Sequence, residues 1–383
     1  MRGQGLKRIA VLALAMALAV LVYVLWPRQQ PQAGGPAFEA AELLADEEAG
    51  FARAVEVREF VFPADHGAHP DYRNEWWYFT GNLEDAAGRA FGFEFTVFRF
   101  AMMPEPIERA SNWASRQLYM AHFAVTDIDG ERFYAAERFA RGAMGLAGAQ
   151  AAPFKVWLED WQVSAEADEA FPARLQAATD EAGLDLRLEA LQPPVLQGDR
   201  GLSPKGAGPG NASYYFSMPR LAAAGEVRFG GERYEVKGQA WLDREWGSSV
   251  LERGQAGWDW FSLQFDNGAE MMVFQLRRED GSTDPYNAGM WIAPDGSTRP
   301  LRAQEFELEP LATWESLATG VEYPLRWRLR IPALNAELTV APRLENQELD
   351  LSVRYWEGAI EVSGEIRNEN VRGLGYMELT GYE

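Results

Sequence analysis

The sequence predicts an all-β protein, two tandem antiparallel barrel-like units behind an N-terminal membrane-inserting segment. Three observations lead there. Beyond residue 51, apolar side chains recur at every second position in one stretch after another, and no long amphipathic helical pattern competes. An aromatic hairpin occurs twice, 182 residues apart: Trp76-x-Tyr78-Phe79-Thr80-x-Asn82-Leu83-Glu84 matches Trp258-x-Trp260-Phe261-Ser262-x-Gln264-Phe265-Asp266. Residues 9–26, IAVLALAMALAVLVYVLW, form an unbroken apolar run of 18.

Taken in order, the apolar run follows Arg2, Lys7 and Arg8 and stops at Pro27. A cleaved signal peptide has a shorter apolar core and small residues at its end, whereas Tyr23, Leu25 and Trp26 stand here. Residues 1–26 are therefore read as an uncleaved anchor in the inner membrane. The basic residues before it place the rest of the chain on the periplasmic or extracytoplasmic side; cleavage would leave it secreted. Residues 27–50, rich in Pro, Gly, Gln and Ala and then acidic, read as a flexible linker.

Period-two strands then run through 76–83, 90–100, 118–126, 132–139, 184–191, 214–218 and 232–242, separated by turn signals such as Glu84 to Gly88 and Asp127 to Gly130. The Gly- and Pro-rich stretch 198–211 is read as a long loop of the first unit, at a barrel mouth. The pattern resumes at 258–266, 270–277, 288–292, 325–331, 337–341, 348–355, 359–365 and 375–382. The repeated hairpin marks a diverged duplication, with units at 51–246 and 247–383.

The chain carries 36 basic and 57 acidic residues, and three of the basic ones lie within the first 26, leaving a formal charge of −24 beyond the anchor. Nucleic acid is an improbable partner for such a surface, and anionic lipid headgroups would repel it. There is no cysteine for a disulfide, a lipid anchor or thiol chemistry. Zinc-protease, serine-esterase and phosphate-loop signatures are missing, and no cofactor is expected.

His66 and His69 could pair with Glu75 or His122 as metal ligands, but the blander reading is an irregular lead-in whose His rings hydrogen-bond the backbone, and no metal is expected. His122 alternates with Phe123 and Val125, so it lines a lumen or sits outside. Consecutive aromatics in Trp76-Trp77-Tyr78-Phe79 point to opposite faces, one toward core and the other toward ligand or a neighbouring domain.

Four of the fourteen tryptophans fall in residues 238–268, where Asp243, Arg244 and Glu245 stand in a row. On a strand, Trp241, Asp243 and Glu245 share one face and Leu242, Arg244 and Trp246 the other. Two readings follow. If the first face looks into an apolar barrel, burial and mutual repulsion raise one carboxyl pKa and produce a proton donor in an aromatic cavity. Alternatively, the three charges form an ion-pair network pinning the junction between the two units.

At "NEWWYFTGNLED", "GQAWLDREWGSS", "GWDWFSLQFDNG" and "GLGYMELTGY", the chain resembles the AttH-like, lipocalin-type family, whose members are labelled carotenoid 1,2-hydratase (hydroxyneurosporene synthase) or predicted secreted hydrolase. The resemblance runs over most of residues 58–383 and implies two lipocalin-like barrels. Hydratases of this kind carry Trp-Trp-Tyr, Tyr-x-Asp-His-Asn-Trp-Gly and Trp-Asp-Trp segments. Trp76, Trp77 and Tyr78 match the first, Asp243, Trp246 and Gly247 the second, and Trp258, Asp259 and Trp260 the third. Trp241, Arg244 and Glu245 depart from it, standing where the family has Tyr, His and Asn.

The resemblance implies a protein that binds a lipid or isoprenoid, serving an export system with ABC-transporter components as partners. It also implies the alternative of a hydratase, with Asp243 as acid and Glu245 beside it, adding water to an isolated C=C. A hydrolase using that carboxylate pair ranks third. Trp76, Trp77, Tyr78, His122, Trp241, Trp246, Trp258 and Trp260 are the expected ligand-binding residues.

Overall fold

The computed structural model describes residues 50–105, 111–248 and 251–382. The expected anchor, and all but the last residue of the linker, lie outside them. Among the described residues no helix is long and apolar enough to cross a membrane.

The first sheet contains β1 (Asn74–Asp85), β2 (Ala90–Ala101), β3 (Gln117–Asp127) and β4 (Arg132–Arg141). Four short strands follow, β5 (Ala147–Ala151), β6 (Phe154–Leu158), β7 (Trp161–Ala165) and β8 (Ala173–Ala178). It ends with β9 (Ala182–Ala190), β10 (Val195–Leu196), β11 (Leu202–Pro204), β12 (Ala212–Phe229) and β13 (Glu232–Gly247). The second sheet begins with β14 (Gln255–Phe265), β15 (Glu270–Arg278), β16 (Ala288–Ile292), β17 (Thr298–Arg302) and β18 (Glu307–Glu315). It is completed by β19 (Glu322–Ile331), β20 (Ala336–Pro342), β21 (Glu348–Asp350), β22 (Arg354–Ile366) and β23 (Glu369–Thr380). Three single helical turns, Ala64–His66, Ala303–Glu305 and Pro332–Leu334, are the helical structure among the described residues.

Every pairing is antiparallel, and the two sheets repeat one order. The first runs β4-β3-β2-β1-β13-β12-β9-β8 before continuing through β7, β6 and β5; the second runs β17-β16-β15-β14-β23-β22-β20-β19-β18. In each, the strand of the aromatic hairpin, β1 or β14, lies between the next strand in sequence and the last strand of its own sheet. The correspondence reaches single residues. Gly225 on β12 and Gly364 on β22 share φ +153°, and a Cβ at either would lie 2.1 Å from a carbonyl oxygen of the neighbouring strand. These are two lipocalin-like units, one sheet curling into a nearly closed barrel and the other into half a barrel.

Strand alternation sorts each sheet into two faces. Trp77, Phe79, Phe93, Phe95, Leu242 and Trp246 fill the core inside the first sheet, and Phe261, Leu263, Trp327 and Trp356 the core inside the second. The opposite faces meet in a seam of Tyr78, Tyr215, Trp241, Trp260, Met272, Phe274, Ala359 and Tyr376. Hydrogen bonds cross this seam: Asn82 Nδ2 donates to the Gly375 carbonyl at 2.9 Å, Thr126 Oγ1 to Gln347 Oε1 at 2.8 Å, and Gln264 Nε2 to the Pro219 carbonyl at 2.8 Å. Gly92 comes so close to the second sheet that a Cβ there would meet the Ala359 methyl at 2.8 Å.

Candidate functional site

The aromatic cavity lies in the seam between the two sheets, where a barrel interior was one expectation. One row of side chains in register crosses the first sheet: Ser217, Asp243, Tyr78, Thr96 and His122, from β12, β13, β1, β2 and β3. Three strand spacings separate Asp243 from His122, roughly 14 Å. A second row, Tyr215, Glu245, Trp76, Phe98 and Met120, runs beside it toward the sheet's end. The second sheet answers with Phe274, Trp260, Glu378 and Glu357 in one row. Leu276, Trp258, Thr380 and Tyr355 flank them, and Lys205 and Leu251 complete the walls. The cavity gives the centres of water-sized molecules about 120 Å³ of room.

Asp243 is 3% exposed. Its Oδ1 accepts hydrogen bonds from Ser217 Oγ at 2.5 Å and Trp241 Nε1 at 2.7 Å, and its Oδ2 from the Tyr215 hydroxyl. The Tyr215 oxygen in turn accepts from Trp260 Nε1 at 3.1 Å, so the second sheet helps orient the acid. Burial pushes the Asp243 carboxyl up to about 7; the three donors restrain the rise and the nearby Glu245 carboxylate adds to it. Glu245 accepts from Ser213 Oγ, and its Oε1 lies 3.3 Å from Lys205 Nζ. That ammonium sits 4.1 Å from the centre of the Phe274 ring, a cation–π contact.

The opposite wall holds carboxyls of its own. Glu378 is pushed up to about 7 by burial, restrained by the Trp258 indole and raised further by Asp243 and Glu245. Glu357, with Oε1 accepting from the Tyr78 hydroxyl at 2.6 Å, is held well above the carboxylate range by burial and by repulsion from Glu378 and Glu94. Its Oε2 is buried without a hydrogen-bond partner. At the far end, His122 Nδ1 lies 2.6 Å from the Tyr355 hydroxyl, and burial lowers the imidazole to about 3, keeping it neutral. The result is an aromatic chamber with a carboxyl raised to near neutrality on each wall.

Of the residues expected at the ligand site, Trp76, Tyr78, His122, Trp258 and Trp260 line the chamber, together with Asp243 and Glu245. Trp241 stands behind it, holding Asp243. Trp77 and Trp246 do not belong to the site: alternation turns both inward, and they are fully buried in the first sheet's core. His122 is on the outer face of the first sheet, which becomes an inner wall because the second sheet covers it.

The expected Asp243–Arg244–Glu245 ion-pair network is likewise corrected. Arg244 points away from both acids, its Nη2 2.9 Å from Glu75 Oε2 and its guanidinium 4.0 Å from the centre of the Trp77 ring. Glu75 also takes Arg99 Nε at 2.6 Å and faces His69 Nδ1 at 3.0 Å. His69 stacks on Trp246 at 3.7 Å and reaches Asp65 through Nε2, so its partners are carboxylates and an indole where backbone was expected.

Glu357, Glu378, Tyr215, Tyr355 and Lys205 went unnoticed in the sequence. Lys205 comes from the loop expected at a barrel mouth, which lies instead at the mouth of the seam. Only the Glu378 segment carried a signal, since "GLGYMELTGY" is one of the four family-like motifs.

Fold and site thus define a two-unit, lipocalin-like protein with an acid-bearing aromatic chamber between its units. Residues 53–382 match the AttH-like family, and the chain belongs to it. It is similar to the crystal structure of a protein assigned to AttH from Nitrosomonas europaea: TM-score 0.76, 35% identity, over 87% of this chain and 100% of that one. Kievitone hydratase from Nectria haematococca shares the fold at TM-score 0.65 and 16% identity, over 91% and 98% of the two chains. The dehydratase asqC of Emericella nidulans is 24% identical over 221 residues, 54% of this chain; the match spans 60% of that protein.

Proposed function

We propose that this protein adds water to, or removes it from, an apolar, isoprenoid-like molecule held in the seam, with Asp243 as the acid. The observation that carries this reading is a buried carboxyl titrating near neutrality inside an aromatic chamber. The dehydratase name of the Emericella nidulans relative agrees with the reaction class.

In the hydration direction, the electron pair of a trisubstituted C=C takes the Asp243 proton at the less substituted carbon, forming a C–H bond. The tertiary cation left at the other carbon faces the rings of Trp258, Trp260 and Tyr78. A water oxygen bonds to it and releases its proton to the ionised Glu378; that proton's return to Asp243 closes the cycle. Elimination of a tertiary alcohol retraces the same path. No metal or organic cofactor enters the balance. Anchored through residues 9–26, the protein would work at a membrane surface on molecules that partition into it.

The test is turnover of an isoprenoid with an isolated trisubstituted C=C, run in D₂O with the full chain. The expected product carries one added water and one deuterium at the less substituted carbon, and Asp243→Asn lowers the rate by about 10²–10⁴-fold. Equal rates in the two proteins would remove Asp243 from the chemistry. If neither protein turns the molecule over and both release the same bound lipid on extraction, the chain is a carrier.

A further inference from the structure

Five of the exposed apolar side chains gather at one end of the first sheet, while others, such as Leu191 and Leu374, lie elsewhere. Met102, Met103, Trp113, Phe139 and Met144 are between 38% and 60% exposed, and Leu317 is 100% exposed. The register brings the first five to one end of the first sheet. Asn74 at the start of β1 pairs with Phe100 near the end of β2, Phe100 with Leu118 near the start of β3, and Leu118 with Arg141 at the end of β4. Met102 and Met103 continue from that end of β2, Trp113 precedes β3, and Met144 follows β4. Phe139 pairs with Met120, a wall of the chamber. Leu317 occupies the β18–β19 turn, where Ser316 bonds Glu348, the pairing partner of Trp356 beside Tyr355.

Two further features lie at this end. The chamber belongs to it: Trp76, Phe98, Phe100, Leu251 and Trp258, each only partly buried, form an apolar rim. The polypeptide coming from the N-terminus also arrives here. Gly50 lies so near Pro104 that a Cβ would stand 2.8 Å from its Cγ, Ala52 N–H donates to the Asp71 carbonyl at 2.9 Å, and Ser248 Oγ donates to the Ala52 carbonyl. The linker therefore leaves the two-sheet body beside the exposed methionines, with the apolar run 9–26 at its other end.

We infer that this end docks on the bilayer, Met102, Met103 and Trp113 entering the interfacial region, so that the chamber opens toward the lipid and takes its substrate from it. Tryptophan and long flexible apolar side chains suit that depth. The formal charge of −24 beyond the anchor opposes attraction to anionic headgroups, and an apolar contact suits zwitterionic lipid. The inference rests on the membrane anchoring proposed above and adds an orientation to it.

The chain has no cysteine, so one introduced thiol gives a unique label. Full-length Met103→Cys and Ala87→Cys, the latter in the exposed turn at the opposite end of β1 and β2, would each carry an environment-sensitive fluorophore in phosphatidylcholine vesicles containing spin-labelled lipid. The expected result is blue-shifted emission at position 103, losing most of its intensity to the quencher, and unchanged, unquenched emission at position 87. Equal, water-like emission from both sites in chains that float with the vesicles overturns the docking and leaves the anchor standing. Quenching at both sites overturns the orientation. A chain that fails to float overturns anchor and docking together.

Discussion

Asp243 is poised by opposing neighbours, and each neighbour can be moved separately. The Tyr215 hydroxyl stabilises the carboxylate; Glu245 destabilises it. Tyr215→Phe should therefore raise the Asp243 pKa and Glu245→Gln should lower it. Because the acid must be protonated to act, the rate falls as pH rises through about 7 in the unaltered protein. That alkaline limb should move up in Tyr215→Phe and down in Glu245→Gln, read from pH profiles of kcat/KM with a saturated analogue as the binding control. Shifts in the same direction for both variants would show that the limb belongs to another group, Glu378 being the first candidate, since it also stands near 7.

The next scale is the strand pair β1–β13, whose two faces do different work. Inward, Glu75 and Arg244, joined by Arg99 of β2, form a fully buried charge cluster; outward, Asp243 and Tyr78 stand side by side in register. Arg244→Met removes one of the two guanidinium partners of Glu75 and leaves a buried charge half-compensated. The expected cost is about 3–5 kcal/mol of stability, measured by denaturant unfolding. Binding in the chamber should survive wherever the variant is folded, since Arg244 faces the other way. Gly92→Val attacks the seam itself: its side chain meets the Ala359 methyl, and overpacking there costs about 1–3 kcal/mol.

This strand pair also shows what could be read in advance. Alternation alone put Asp243 and Glu245 together and Arg244 opposite, and the paired hairpins foretold two units of one design. It said nothing about what covers the outer face, because a face opposite a core reads the same whether water or a second sheet lies against it. Glu357 and Glu378 sit in "RYWEGAIEV" and "GYMELTGY", where an acid flanked by apolar residues reads as an ordinary solvent-facing position on a strand. Strands β5–β8 escaped for a different reason. At five or six residues each is too short to mark a period, and β5 (Ala-Gly-Ala-Gln-Ala) and β8 carry no β-branched or aromatic side chain at all. The predicted strand 348–355 is two, β21 and β22, broken between Asp350 and Arg354.

For the whole molecule, the chamber exists only while both sheets are folded and apposed, and its acids make that apposition depend on pH. Asp243 and Glu378 have folded values near 7, far above their ordinary ones, and Glu94 and Glu357 are raised by the same burial. For groups shifted upward, the native state holds protons that the unfolded chain has released, so their contribution is complete below about pH 4 and is lost as pH rises through 7. Buried neutral His66 and His122, lowered to about 3, act in the opposite sense: their contribution is complete above 6.5 and declines as pH falls toward 3. The carboxylates lowered by arginine, Glu75 and Asp127 among them, also favour the native state above pH 4. Between pH 6.5 and 8.5 His66, His122 and the lowered acids have finished titrating, while the raised acids are still losing protons. Stability should therefore fall across that interval, by on the order of a kcal/mol per pH unit for each group still titrating. Asp243→Asn, which removes one such group, should flatten the decline. A series of Tm values at constant ionic strength would show it, and a Tm that holds level or climbs from pH 6.5 to 8.5 would mean that the seam does not bury these carboxyls as protonated acids.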